Sequence, residues 1–238
     1  ARDRTPWAFD APPSLPTAPR QIVLGDVASM HELEALGFSI APMAAATDPE
    51  AAVAAADAIG YPVVVKVDAP GLPHKWDVGA VRLGLADAAA VRTAATELLS
   101  LVLPEGVARR GLTVQRQAPS GIELIAGVRR DPQFGPVVLA GFGGILAEAL
   151  DDVAIRLAPV RAGDVREMLD SLRAARLLAG FRGAPAVDVD AVAELVVRLA
   201  ELAFDRPDWL EVDLNPVIVG PEGPVIVDAL IVREEQHA

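Results

Sequence analysis

The 238-residue chain contains no cysteine, which excludes disulfides, Cys-type zinc sites and thiol catalysis. Its three histidines leave little for a His-rich metal site. It also lacks an excess of cations: 33 Asp and Glu stand against 21 Lys and Arg, a formal charge of −12. Nonspecific binding to nucleic acid or to an anionic membrane needs the opposite balance, so neither partner is expected. No segment is long and apolar enough to span a bilayer, which takes roughly 20 residues. The longest uncharged stretch in the middle of the chain, 132–147, is shorter and is interrupted by Gly and Pro. The N-terminal segment has no apolar centre and does not read as a secretory signal, so a cytoplasmic location is the expectation. Residue 1 is Ala rather than Met, as expected of a processed chain or of a piece cut from a longer protein. No Walker A sequence, G-x-S-x-G elbow, H-E-x-x-H helix or G-x-G-x-x-G after a first βα turn is present, and those enzyme classes lose support.

What is present suits one large domain or two small lobes around a shared cleft. Residues 1–20 hold five prolines, so 1–24 reads as an arm or linker. Trp7 and Phe9 could dock it on a surface, or the arm could do nothing. Val27, Met30, Leu33 and Leu36 recur at helical spacing, with Gly37 as a stop. A short strand is expected at Phe38–Pro42. Thr47-Asp48-Pro49-Glu50 reads as a helix start with a capping side chain and Pro in the first turn, and that helix should end at Gly60. VVVKV (63–67) reads as a buried strand, followed by a strand at 80–85 and a helix capped by Asp87. A second lobe is expected to open at Leu112, giving lobes at 25–111 and 112–238. It begins with strands at 112–117, 122–130, 136–142 and 154–157. Helices are expected at 164–178 and after a cap at Asp190. The strands 210–219 and 224–232 should pair as a hairpin. Strands and helices mix in both halves, so the class is α/β or α+β.

Four features carry chemistry. Lys66 interrupts an apolar strand; it is either an edge residue facing water or a cation aimed into a cleft at a phosphate, because a buried ammonium needs an anion. The loop GLPHKWDVG (71–79) sets His74 and Lys75 between glycines, which suits transfer chemistry as well as a structural role. In EVDLNP (211–216) the period of two puts Glu211, Asp213 and Asn215 on one face, and the hairpin can return Asp228 beside them. Such oxygen donors suit Mg2+; the alternative is an acidic solvent face. In GFGGILAE (141–148), Gly143 and Gly144 could present backbone N–H groups to an anion.

In this order the pieces resemble the ATP-grasp β subunit, or fused β domain, of NDP-forming acyl-CoA synthetases (acetate–CoA ligase, ADP-forming). The resemblance runs from about Ala28 to Arg233 and rests on AIGYPVVVKVDAPGLPHKWDVGAV, GIELIAGVRRDPQFGPVVLAGFGGILAEALDDVAIRLAPV, LLAGFRGAP and EVDLNPVIV…VIVDALIV. It implies an ATP-grasp fold whose two lobes clamp ATP or ADP with Mg2+. It further implies that Lys66 holds phosphates, that Gln115, Arg116 and Gln117 lie near adenine, and that Glu123 lies near the ribose or phosphates. Asn215 and Asp228 would ligate Mg2+, with Asp213 nearby, and His74 would relay a phosphoryl group. The implied partner is a CoA-binding α subunit or fused α domain, through which a small carboxylic acid and CoA enter. The chain departs from the family pattern at Trp76, Ala80 and Leu230. Those changes motivate a second reading, a non-catalytic ATP-grasp scaffold or nucleotide sensor. A different ATP-grasp ligase, joining a carboxylate to an amine or thiol, is a third reading that the HK loop opposes.

Overall fold

The computed structural model describes residues 21–70, 72, 75–144 and 152–235. Its elements in chain order are β1 (Gln21–Leu24), α1 (Asp26–Ala35), β2 (Met43–Ala46), α2 (Pro49–Ile59), β3 (Val63–Asp68), β4 (Val81–Leu85), α3 (Ala88–Ser100) and β5 (Gly111–Arg116). Then come β6 (Ile122–Asp131), β7 (Gly135–Phe142), β8 (Val153–Leu157), α4 (Ala162–Asp170), a 3-10 turn (Ala175–Leu177) and α5 (Val189–Asp205). The chain closes with β9 (Trp209–Gly220), β10 (Gly223–Ile226) and β11 (Ala229–Glu234). The class is mixed α/β, as the sequence implies. Among the described residues, no helix is long and apolar enough to cross a membrane.

The strands form two sheets. The smaller runs β2-β5-β3-β4 and the larger runs β1-β11-β9-β6-β7-β8, with β10 also paired to β9. Alternation of side chains decides what each sheet buries. In β3, Val63, Val65 and Val67 join Leu112 and Val114 of β5 in a core shared with α2 and α3. The intervening Val64 and Lys66 face the other way, into the space between the sheets. In the larger sheet, Leu124, Ala126, Val138, Ala140, Val212 and Leu214 pack on α1, α4 and α5. Asp213, between Val212 and Leu214, is thereby turned to the opposite face. The segment before β2 meets the larger sheet where Ile40 bridges Ile226, and the Lys66 ammonium of the smaller sheet donates across to the Val227 carbonyl at 2.6 Å.

Local chemistry accounts for most element ends. The Asp48 carboxylate accepts from the Glu50 and Ala51 N–H groups at 3.0 and 2.9 Å, and Pro49 fills the first turn. Gly60 closes α2 at φ +88°, a conformation that suits glycine. Asp87 caps α3 by accepting from Ala90 N–H at 2.8 Å.

Other ends differ from expectation. Phe38–Pro42 is not a strand: it makes the single bridge at Ile40, while Phe38 turns into the larger core. The helix after Asp164 stops at Asp170 instead of reaching Leu178. The buried Asp152 carboxylate takes the Arg173 and Ala174 N–H groups at 2.8 and 2.9 Å, which bends the chain away from a helical path. The cap of α5 is Asp188, which accepts from Ala191 N–H at 2.9 Å. Asp190 sits inside the first turn and pairs with Arg166 at 2.7 Å. The last expected strand is two strands in one register, interrupted at Val227 and Asp228. The sheets also draw on the chain differently from a cut at Leu112: β5 pairs with β2 and β3 in the smaller sheet, and β1 pairs with β11 in the larger. The arm residues Trp7 and Phe9 lie outside the described residues.

Candidate functional site

Between the sheets lies a cavity of about 730 Å³. Lys66 reaches it from the central strand β3. Its body is buried, with 7% of the residue exposed, and its Nζ stands 4.0 Å from Asp228 Oδ2 across the gap. The strand is apolar on both sides because its other face is covered by helices and this one by the opposing sheet. Asp228 sits at the interruption between β10 and β11. There the ladder gives way to an Asn215 N–H to Asp228 O bond at 3.2 Å, and the carboxylate accepts from Ala229 N–H at 3.0 Å.

Two further charges complete the cluster. Lys75 Nζ donates to Asp26 Oδ2 at 2.9 Å and to Asp228 Oδ2 at 3.3 Å. Burial works against each of these charges, and their neighbours decide the outcome. Burial pushes the Asp228 carboxyl up to about 6; the nearby Asp26 adds to this, while Lys66 and Lys75 oppose it. Asp26 is also penalised by burial, but Lys66 and Lys75 outweigh that and hold its carboxyl below the usual range. Burial disfavours the Lys75 ammonium, yet the carboxylates of Asp228 and Asp26 keep it firmly protonated.

Asp213 and Asn215 of β9 line the same cavity. Burial raises the Asp213 carboxyl, with the like charge of Glu211 adding to it. Among the described residues Asp213 has no ion-pair partner. A half-buried carboxylate without a cation, on the same cavity wall as an amide oxygen and a second carboxylate, belongs to an all-oxygen set that fits Mg2+. Among the described residues, no three His, Cys, Asp or Glu side chains form a metal cluster by themselves, and Asn215 is the further oxygen donor on this wall. Glu211 is not on the cavity wall; it turns toward Arg129 at 3.8 Å.

At the other end, Gln115, Arg116 and Gln117 line the cavity, as does Glu123. Gln115 is buried in β5. Gln117 is fixed twice: its N–H donates to the Pro62 carbonyl at 3.1 Å, and its Oε1 accepts from Gly84 N–H at 2.7 Å. Gly144 reaches the wall at φ +57°, where a Cβ would collide with the Glu123 carboxylate. Gly143 does not reach it, and its N–H donates to the Glu123 carbonyl at 2.8 Å, so it is not free for an anion. His74 and residues 145–148 of the glycine-rich segment lie outside the described residues.

The departures from the family pattern take three different positions. Trp76 projects from the cavity rim with 65% of its surface exposed. Ala80 is fully buried in the smaller core, its N–H donating to the Lys75 carbonyl at 2.8 Å. Leu230 stands opposite Asp213 on the cavity wall. The reading of the residues missed Asp26 and left Lys75 without a role. Asp26 follows Gly25 at the start of α1, so it reads as an ordinary acid in a first helical turn. Nothing local marks it as facing Lys75.

Residues 17–232 match the family model described as an ATP-grasp domain. The chain is 42% identical over 207 residues to the acetate–CoA ligase [ADP-forming] I of Archaeoglobus fulgidus, covering 86% of this chain and 30% of that protein. It is 35% identical to the acetate–CoA ligase [ADP-forming] I subunit beta of Pyrococcus furiosus, covering 84% of this chain and 87% of that subunit. It thus spans less than a third of the first relative and most of the second. Among solved structures, the dinucleotide-forming acetyl-coenzyme A synthetase 1 of Ca. Korarchaeum cryptofilum, in complex with coenzyme A and Ca-AMPCP, superposes with a TM-score of 0.84. The identity is 36%, over 89% of this chain and 93% of that one. The same Korarchaeum protein with coenzyme A and Mg-AMPPCP gives a TM-score of 0.77 at 35% identity over the same shares, its phosphohistidine segment pointing towards the nucleotide binding site.

Proposed function

Because the chain belongs to the ATP-grasp domain family, we propose that it binds ATP and ADP with Mg2+ between its two sheets. On this reading it is the nucleotide-handling part of an ADP-forming acyl-CoA synthetase. The overall reaction is acyl-CoA + ADP + phosphate = carboxylic acid + ATP + CoA. The observation that carries the proposal is the meeting of Lys66 with Asp228 across one cavity whose walls also hold Asp213 and Asn215.

The step assigned to this chain is phosphoryl transfer. The N–P bond of a phosphohistidine breaks, a terminal phosphate oxygen of ADP takes the phosphorus, and the imidazole is released. Such a transfer asks the protein for positioning and charge stabilisation more than for covalent help. Lys66 supplies a cation preset by its strand. Gln115, Arg116, Gln117 and Glu123 hold the nucleoside end, and Gly144 lets the backbone approach it. Asp213, Asn215 and Asp228 would hold Mg2+, whose charge neutralises phosphate oxygens when it is bound. His74 is assigned to the relay by its motif. The two sheets act as the two lobes of a clamp; the arm or linker expected at 1–24 is cut back to residues 1–20, because 21–24 are strand β1 of the larger sheet.

The partner is a CoA-binding α subunit or a fused α domain, which handles the small carboxylic acid and CoA. The Archaeoglobus and Pyrococcus relatives support either arrangement, since one is much longer than this chain and the other is named as a β subunit. A cytoplasmic location belongs to this reading because ATP and CoA are intracellular substrates. The intact Lys66, Asp213, Asn215 and Asp228 favour turnover over the scaffold reading.

The test supplies a CoA-binding partner phosphorylated on its histidine, together with ADP and Mg2+. ATP should form with this chain present and should fall sharply with His74→Ala. ADP binding without ATP formation would favour the sensor reading instead.

A further inference from the structure

Lys75 lines the cavity and spends its ammonium on hydrogen bonds to Asp26 and Asp228. Its half-buried ammonium lies between two carboxylates, 2.9 Å from Asp26 and 3.3 Å from Asp228. One of those carboxylates is a candidate metal ligand. Its backbone belongs to the turn 75–79, tied down by the Ala80 N–H to Lys75 carbonyl bond and followed at once by the exposed Trp76.

We propose that Lys75 is a place-holding cation: it occupies the Asp228 carboxylate while the site is empty and yields it to Mg2+ when the site loads, so that the turn 75–79 moves with metal occupancy. This rests on the nucleotide reading above.

The charges argue for it. Two half-buried carboxylates side by side repel one another unless a cation lies between them, and Lys75 is that cation here. Mg2+ carries twice its charge and approaches carboxylate oxygen to about 2.1 Å, closer than an ammonium can come. Metal at Asp228 would therefore displace Lys75 and repel it, while Asp26 keeps a hold on the side chain. Lys66 does not duplicate this role, because it is the more distant from Asp228 and spends a hydrogen bond on the Val227 carbonyl. The charged groups around Lys75 are Asp26 from α1 and Asp228 from the β10–β11 interruption, with Asp68 of β3 farther off; Lys66 of β3 shares Asp228 with it.

The test uses the full chain at pH 8 and reads metal binding directly. MgCl2 alone and ADP with MgCl2 are titrated by calorimetry into wild type, Lys75→Met and Lys75→Arg. Removing the competing ammonium should tighten Mg2+ binding by about tenfold in Lys75→Met, and Lys75→Arg should stay near wild type. Trp76 fluorescence, assigned with Trp76→Phe, should respond to Mg2+ with ADP in wild type and lose that response in Lys75→Met. Should Lys75→Met unfold without metal, its melting temperature should rise with Mg2+ by more than that of wild type.

Unchanged or weaker Mg2+ binding in Lys75→Met, with binding intact in wild type, overturns this inference alone. So does equal weakening of ADP with and without Mg2+, which would make Lys75 a phosphate ligand. A wild type that binds neither Mg2+ nor ADP overturns the nucleotide reading and this inference together.

Discussion

The two walls of the cavity present charge in different ways. The smaller sheet is built from one continuous stretch, β2 to β5, and holds Lys66 within its central strand, between paired neighbours on both sides. The larger sheet gathers strands from both ends of the described chain. It holds Asp228 where a strand breaks and Asp213 on the face away from the core. One wall offers a cation fixed within a strand that is paired on both sides. The other offers oxygen donors on a hairpin, beside a break in its pairing. On the proposed reading this contrast would divide the work: a fixed cation for phosphate, and donors at a strand break for a metal that comes and goes.

The largest effect expected from this comparison is on stability. Leu214 lies fully buried in the larger core and Val65 fully buried in the smaller one. Leu214→Ala should lose about 3 to 4 kcal/mol, and Val65→Ala about 2 kcal/mol, in urea unfolding. A single shared transition in both variants means that the sheets fold as one unit; two transitions would split the walls into independent halves.

A somewhat smaller effect separates the chemical roles. Lys66→Met keeps the packing and removes the cation, so ADP affinity should fall about 100-fold, roughly 2.7 kcal/mol, with or without Mg2+. Asp213→Asn should instead remove the gain in ADP affinity that Mg2+ provides and leave metal-free binding near wild type. Identical responses in calorimetry would erase the proposed division.

The smallest effect checks a helix end in the larger core. Asp188→Ala should cost about 1 kcal/mol of stability, the typical value for a lost cap. Asp190→Ala should cost a few tenths of that, since its partner is an exposed Arg166 pair. Reversed thermal shifts would return the cap to Asp190.

Much was legible along the chain. VVVKV, the capped helix start at 47–50, the Asp87 cap and the Gly60 stop depend on neighbours within a few residues, and they appear as expected. The oddity of Lys66 was legible as well, because a charge within an apolar strand demands a partner whatever the fold. What failed depended on residues far apart. Asp152 ends α4 from across the turn, and the reach of β5 into the smaller sheet is set by pairing with β2 and β3. Asn215 and Asp228 could be paired by hairpin arithmetic, but the break in the strand that exposes Asp228 could not be foreseen from its apolar neighbours.

The sequence by itself determined the kinds of group available: a lone strand lysine, an acidic hairpin and a histidine-lysine loop, with no thiol and no cationic surface. Only the tertiary structure decided which of them meet. Asp26 and Lys75 lie 49 positions apart, and Lys75 and Asp228 lie 153 apart. Charges so distant along the chain become one cluster only when two sheets close over them, because burial removes the water that would otherwise screen each charge alone.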